Sequence, residues 1–122
     1  MIADIHTSHS APMSKLSPNE ISAAVLLARQ DRGERDVLVD VREQNEWNLF
    51  RIPNAIHIPL GRVSAAATGA LAHYPDDEIV VYCARGARSA QAVELLSAQG
   101  IRATSLAGGI AAWIDAGGEI ED

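Results

Sequence analysis

The sequence predicts an α/β domain, with a parallel sheet covered by helices on both faces. Three observations lead there. Short β-prone runs at 37–39, 56–58 and 79–82 alternate with longer helix-like segments, and such alternation is the signature of a parallel sheet. Val37-Leu38-Val39 and Ile79-Val80-Val81-Tyr82 are continuously apolar, as strands buried on both faces are. The chain has 122 residues, of which 48% are hydrophobic, enough for one core and one domain.

The elements follow in order. Residues 1–14 are polar, with His6, His9 and Pro12, and read as a disordered tail; Met13 offers an alternative first residue. The two histidines lack any third ligand nearby, so no metal site is expected. Ser17-Pro18-Asn19-Glu20 reads as a capping box, with Ser17 as N-cap and Pro18 in the first turn. The helix it opens runs to about Gln30, with Ile21, Ala24, Val25 and Ala28 on one face. Val37-Leu38-Val39 carries Asp40-Val41-Arg42 to its C-terminal end, the edge where open α/β sheets bind ligands. Glu43 to Phe50 is a short helix bearing Glu46 and Trp47, and Ile52 to Ala55 a turn. Ile56-His57-Ile58 is a strand closed by Pro59. Leu60 to His73 is alanine-rich and helical, weakened at Gly69, and Tyr74 to Asp77 is a turn.

The strand 79–82 then delivers Cys83, the only cysteine. A short loop with Arg85, Gly86 and Arg88, free of acids, leads into a helix from Ser89 to Gln99. Its apolar face is Ala90, Val93 and Leu96, with Ala92 and Leu95; Gly100 ends it. Arg102 to Leu106 is a weak last strand. Ala107-Gly108-Gly109 turns into a helix through Trp113, ended by Gly117-Gly118. The domain so defined spans 15–118, and 119–122 is an acidic, solvated tail.

Bulk properties narrow the function. Net charge is −6 and the pI about 5.1, which argues against nucleic acid as a partner. No apolar run approaches the roughly 18 residues of a membrane span, and no signal peptide is evident. One cysteine forms no internal disulfide, so nothing implies an oxidising compartment. These features point to a cytoplasmic protein without a cofactor.

The chemistry gathers at Cys83. A strand, a tight loop and a helix in that order aim backbone N–H groups and a helix N-terminus at one spot, which favours anions. A thiol there ionises readily, since helix N-termini and arginines lower its pKa from about 8.5 to roughly 3.5–7.5. A lone cysteine in an arbitrary chain is more often a small buried hydrophobe. The strand end and the two arginines reverse that reading here. Trp47 and Trp113 read as packing residues, and His57 as a surface or hydrogen-bonded histidine.

Four stretches carry a resemblance. Asp40-Val41-Arg42-Glu43 with Glu46, Ile52 to Leu60, Val80 to Ser89, and Leu106 to Trp113 together resemble a single-domain rhodanese. That resemblance implies a five-stranded parallel sheet flanked by helices on both faces. It implies a sulfurtransferase in which Cys83 takes sulfane sulfur, from a donor such as thiosulfate, as a persulfide and passes it to a thiophilic acceptor. Ala84, Arg85, Gly86, Ala87, Arg88 and Ser89 would form the substrate cradle, with Gly86 letting the backbone curl. Arg88 either faces the donor or turns inward to pair with Glu46. Ser89 either caps the helix or donates to the anion. Asp40 and Arg42 would either form a buried or half-buried ion pair beneath the loop or contact the substrate directly, the structural role being the favoured one. The six residues from Cys83 to Arg88 resemble sulfurtransferase loops; related phosphatases have one residue more. Phe50 and Arg51 stand where many members carry glycine and histidine. This is similar to domains that work beside sulfur-carrier activating enzymes, which would make a cysteine desulfurase or a sulfur-carrier protein a partner.

Overall fold

The computed structural model describes residues 16–74 and 78–122. Five strands form one parallel sheet: β1 (Glu20–Ile21), β2 (Asp36–Asp40), β3 (Ile56–His57), β4 (Glu78–Tyr82) and β5 (Ala103–Leu106). Their spatial order is β1-β5-β4-β2-β3, so β4 is central. It pairs with β2 from Asp36↔Glu78 to Asp40↔Tyr82, and with β5 from Ile79↔Ala103 to Val81↔Ser105. The helices are α1 (Ala23–Asp31), α2 (Gln44–Leu49), α3 (Val63–Thr68), α4 (Ala87–Ser97) and α5 (Gly109–Asp115).

Period-two alternation along β4 divides the core. Ile79, Val81 and Cys83 point to one face, where Val63 and Ala67 of α3 and Ala92, Val93 and Leu96 of α4 meet them. Val80 and Tyr82 point to the other, against Ala23 and Leu26 of α1 and Ile110 and Trp113 of α5. Helices therefore cover both faces, and α2 follows the C-terminal end of β2 with none of its residues buried. Among the described residues no helix is long and apolar enough to cross a membrane.

Several local expectations are corrected. Only half of the Ser17–Glu20 box forms: the Ser17 N–H donates to Glu20 Oε1 at 2.8 Å, while Ser17 Oγ accepts from the Asn19 N–H at 3.3 Å and the Glu20 N–H donates to the Ser17 carbonyl at 3.0 Å. It closes a turn ahead of β1 rather than opening the helix. The true N-cap is Ser22, whose side chain accepts from the Val25 N–H at 3.1 Å. Ile21 is therefore a strand residue, hydrogen-bonded in parallel to β5. The helix face shifts with its start: Ala23 and Leu26 are buried, while Val25 is 47% exposed. β1 has only two residues, too few for a periodic pattern to register.

The segment 60–73 is not one helix. A 3₁₀ turn (Leu60–Arg62), α3 and a second 3₁₀ turn (Ala70–His73) follow one another, broken at Gly69. α4 begins at Ala87, two residues before Ser89, with Gly86 as its N-cap. Its buried face is Ser89, Ala92, Val93 and Leu96; Ala90 and Leu95 are exposed. The acidic residues 119–122 are exposed, but their backbone is held. Glu121 and Arg51 exchange two backbone hydrogen bonds of 2.8 and 2.9 Å, and Trp113 Nε1 donates to the Glu119 carbonyl at 2.7 Å. The expected N-terminal tail (1–14) and the Asp76-Asp77 turn lie outside the described residues.

Candidate active site

Cys83 leaves the C-terminal end of the central strand, where α4 and α5 both begin. Two features bend its loop into a cradle. Gly86 takes φ +115°, a conformation that side chains other than glycine resist. The outward carbonyls of the loop are secured by α5: the Ile110 N–H donates to Cys83 O at 2.9 Å and the Ala111 N–H to Ala84 O at 3.3 Å. Gly109 permits that approach. A Cβ there would lie 2.5 Å from both the Cys83 and Ala84 carbonyl oxygens.

With the carbonyls turned away, N–H groups converge on the sulfur. Gly86 N–H donates to Sγ at 3.0 Å and Ser89 N–H at 3.4 Å. Cys83 itself is 1% exposed. Burial pushes its thiol pKa up, but hydrogen bonds from the Ser89 hydroxyl and from the N–H groups of Ser89, Gly86 and Arg85 outweigh that and hold it below its ordinary value. These donors stabilise the anion and lose strength when the sulfur is protonated.

The arginines divide. Arg85 and Ala87 are exposed and Ala84 is half-buried. Arg88 turns to α2 and grips Glu46 through two bonds, Nη1 to Oε1 at 2.8 Å and Nη2 to Oε2 at 3.0 Å. That fork lowers the Glu46 pKa to about 2, the Arg88 hydrogen bonds being the main cause. Glu46 has a second use. Its Oε1 accepts from the Glu43 N–H at 2.8 Å, completing a capping box for α2. One carboxylate thus starts the helix and fixes the loop arginine.

Asp40 and Arg42 lie side by side, 0% and 3% exposed. Arg42 Nη2 donates to Asp40 Oδ2 at 2.9 Å and to the Phe50 carbonyl at 2.6 Å. The pair braces the connection from β2 through α2. Ser89 is not the cap of α4 but its third residue, fully buried.

Three arrangements were not anticipated. Ser105 on β5 is 2% exposed and its Oγ lies 2.7 Å from Ser89 Oγ. A serine in an apolar strand was its only signal in the sequence. Tyr82 carries a hydroxyl that accepts from the Ile52 N–H at 3.1 Å, and burial raises its pKa. Trp47 stacks on His57 with centroids 4.8 Å apart and receives the Arg51 guanidinium at 4.9 Å. His57 Nε2 lies 2.8 Å from the Arg42 carbonyl oxygen, so this histidine is hydrogen-bonded and does not reach the sulfur loop through it.

Residues 22–116 match the model of the rhodanese-like domain. The chain belongs to the rhodanese-like family. A sulfurtransferase from Allochromatium vinosum is 37% identical to this rhodanese-like domain over 97 residues, covering 78% of this chain and 87% of the relative. The probable adenylyltransferase/sulfurtransferase MoeZ of Mycobacterium tuberculosis is 38% identical over 85 residues. That match takes in 68% of this chain but only 21% of MoeZ. The crystal structure of the Alr3790 protein from Anabaena sp. superposes with a TM-score of 0.76 at 33% identity, over 83% of this chain and 79% of that one. The expected family and the five-stranded parallel fold are both established.

Proposed function

We propose that this rhodanese-like domain transfers sulfane sulfur through a persulfide on Cys83. The observation that carries the reading is the convergence of the Gly86 and Ser89 N–H groups on Sγ, at 3.0 and 3.4 Å. Donors so placed favour a thiolate before the reaction and a terminal sulfur anion after it. In the first half-reaction the thiolate attacks the outer sulfur of thiosulfate. A new S–S bond forms, the S–S bond of the donor breaks, and sulfite departs with the electron pair. In the second, cyanide or a thiolate attacks the outer sulfur of the persulfide, and Cys83 returns to thiolate. The arginines supply positive charge near a dianionic donor, Arg85 from the exposed rim and Arg88 from a position fixed by Glu46. The reaction needs no cofactor and suits a reducing, cytoplasmic compartment.

A second reading rests on the exposed rim, Arg85 and Ala87, and on the MoeZ relative, whose name joins a sulfurtransferase to an adenylyltransferase. In it the domain is a relay that takes sulfur from a cysteine desulfurase and hands it to a sulfur-carrier protein. Steady-state sulfite release from thiosulfate, with cyanide or a small thiol as acceptor, separates the two. Turnover that disappears in Cys83→Ser supports the enzyme. Negligible turnover alongside rapid acceptance of sulfur from a desulfurase supports the relay. Unchanged turnover in Cys83→Ser overturns both.

A further inference from the structure

We propose that Ser105, on β5 behind the loop, is a positioning residue for the Cys83 sulfur, acting through Ser89 by fixing where the Ser89 hydroxyl proton can go. The inference deepens the reading of Cys83 as the sulfur acceptor and rests on it.

Ser89 Oγ lies 3.1 Å from the Gly86 carbonyl, to which it donates, 3.5 Å from Cys83 Sγ, and 2.7 Å from Ser105 Oγ. A hydroxyl has one proton and two acceptor lone pairs. With the Ser89 proton on the Gly86 carbonyl, or turned to an ionised sulfur, Ser105 is left as the donor in the 2.7 Å contact. Its backbone N–H is already used, donating to the Asn19 carbonyl at 2.8 Å.

With Ser105 as donor, Ser89 has two consistent states. When Cys83 is a thiol, S–H donates to Ser89 Oγ and the Ser89 proton goes to Gly86 O. When Cys83 is a thiolate, the Ser89 hydroxyl rotates and donates to sulfur. The two states differ by the thiol proton, which leaves to solvent, and by one hydroxyl rotation; every remaining donor in the group is used in both. Without the Ser105 hydroxyl, Ser89 Oγ loses a buried donor and becomes a weaker donor itself, because chained hydrogen bonds polarise one another. Both serines are almost wholly buried, at 0% and 2% exposure, so water does not replace the missing partner.

The test is the pH profile of iodoacetamide alkylation at Cys83, which needs no sulfur donor. The charged and titratable groups on the surrounding elements are Arg85, Arg88, Glu46, Asp40, Arg42 and His57, and all stay unchanged. In Ser105→Ala the alkylation rate below the midpoint should fall about three- to tenfold, with the profile moved to higher pH. Ser105→Val and Ser105→Thr have similar size and suit a strand; the valine should lose as much as alanine and the threonine should keep the wild-type profile. In a Ser89→Ala background, Ser105→Ala should add nothing, since the effect passes through Ser89. A wild-type profile in Ser105→Val overturns the proposal, even if the protein melts earlier. So does an undiminished Ser105→Ala effect in the Ser89→Ala background. If the Ser105 variants shift the alkylation profile as expected but the wild type never takes up sulfur, the sulfurtransfer reading is overturned, and what stands is the Ser105–Ser89 control of the Cys83 thiol alone.

Discussion

Cys83 is 1% exposed and its sulfur is approached by N–H donors, so its neighbours set its charge. The thiolate fraction should therefore exceed that of an ordinary cysteine. The expected outcome is an alkylation midpoint below about 8.5, the value of a free cysteine; a midpoint above it would mean burial dominates. Glu46 is a second residue whose surroundings decide its role. Glu46→Gln removes the anionic half of the fork to Arg88 and should lower kcat/KM about ten- to a hundredfold, since small misplacements near a reacting centre cost that much. It also changes acid stability. The Glu46 pKa is depressed in the fold, to about 2 from 4.5, so its contribution is complete above the unfolded value and is lost as pH falls through the folded one. Melting temperatures of wild type and Glu46→Gln should thus converge between about pH 4.5 and about pH 2. A gap that stays constant there would contradict the pairing. At this scale Cys83 was legible because a single cysteine at a strand end is conspicuous. Glu46 was legible only as one of two uses for Arg88. Ser105 was not, because a serine shows its burial only when the strands are assembled.

At the scale of elements, β4, α4 and α5 together make the cradle. α5 is the less obvious member, because it binds the outward carbonyls of Cys83 and Ala84. Gly109→Ala would put a Cβ within 2.5 Å of those carbonyl oxygens at φ +64°. The expected result is a destabilisation of about 1–3 kcal/mol, read by urea unfolding, together with loss of the low thiol pKa. A Gly109→Ala protein with wild-type stability and thiol titration would contradict this role. The long apolar strands β2 and β4 were legible from their runs. β1 was not, because two residues carry no period, and the capping-box pattern at 17–20 was satisfied by a turn. The start of α4 was placed two residues late for a related reason. Ser89 is a good N-cap by type, but Gly86 at positive φ begins the helix and leaves Ser89 free to serve the sulfur.

The whole molecule has two separate cores across one sheet. Leu96 belongs to one and Ile110 to the other. Leu96→Ala should cost about 2–5 kcal/mol and Ile110→Val about 0.5–1.5, and the double variant should equal their sum within about 0.5 kcal/mol. A clear departure from additivity in denaturant unfolding would mean that the sheet transmits strain between its faces. The global class was legible because alternation and length constrain it together. The tie between Arg51 and Glu121 was not, since residues 70 apart in sequence meet only through the completed fold. At this scale too, the net charge of −6 would oppose an anionic donor such as thiosulfate, so on the proposed reading its capture would depend on the local field of the loop.

If Cys83 carries sulfur, it does so as a persulfide. Intact-protein mass spectrometry after incubation with thiosulfate, with Cys83→Ser alongside, tests it most directly. The expected result is a gain of one sulfur atom on the wild type alone, removed by a reducing thiol. No gain on a protein whose Cys83 is reduced and alkylatable, with either thiosulfate or a cysteine desulfurase as donor, would contradict it.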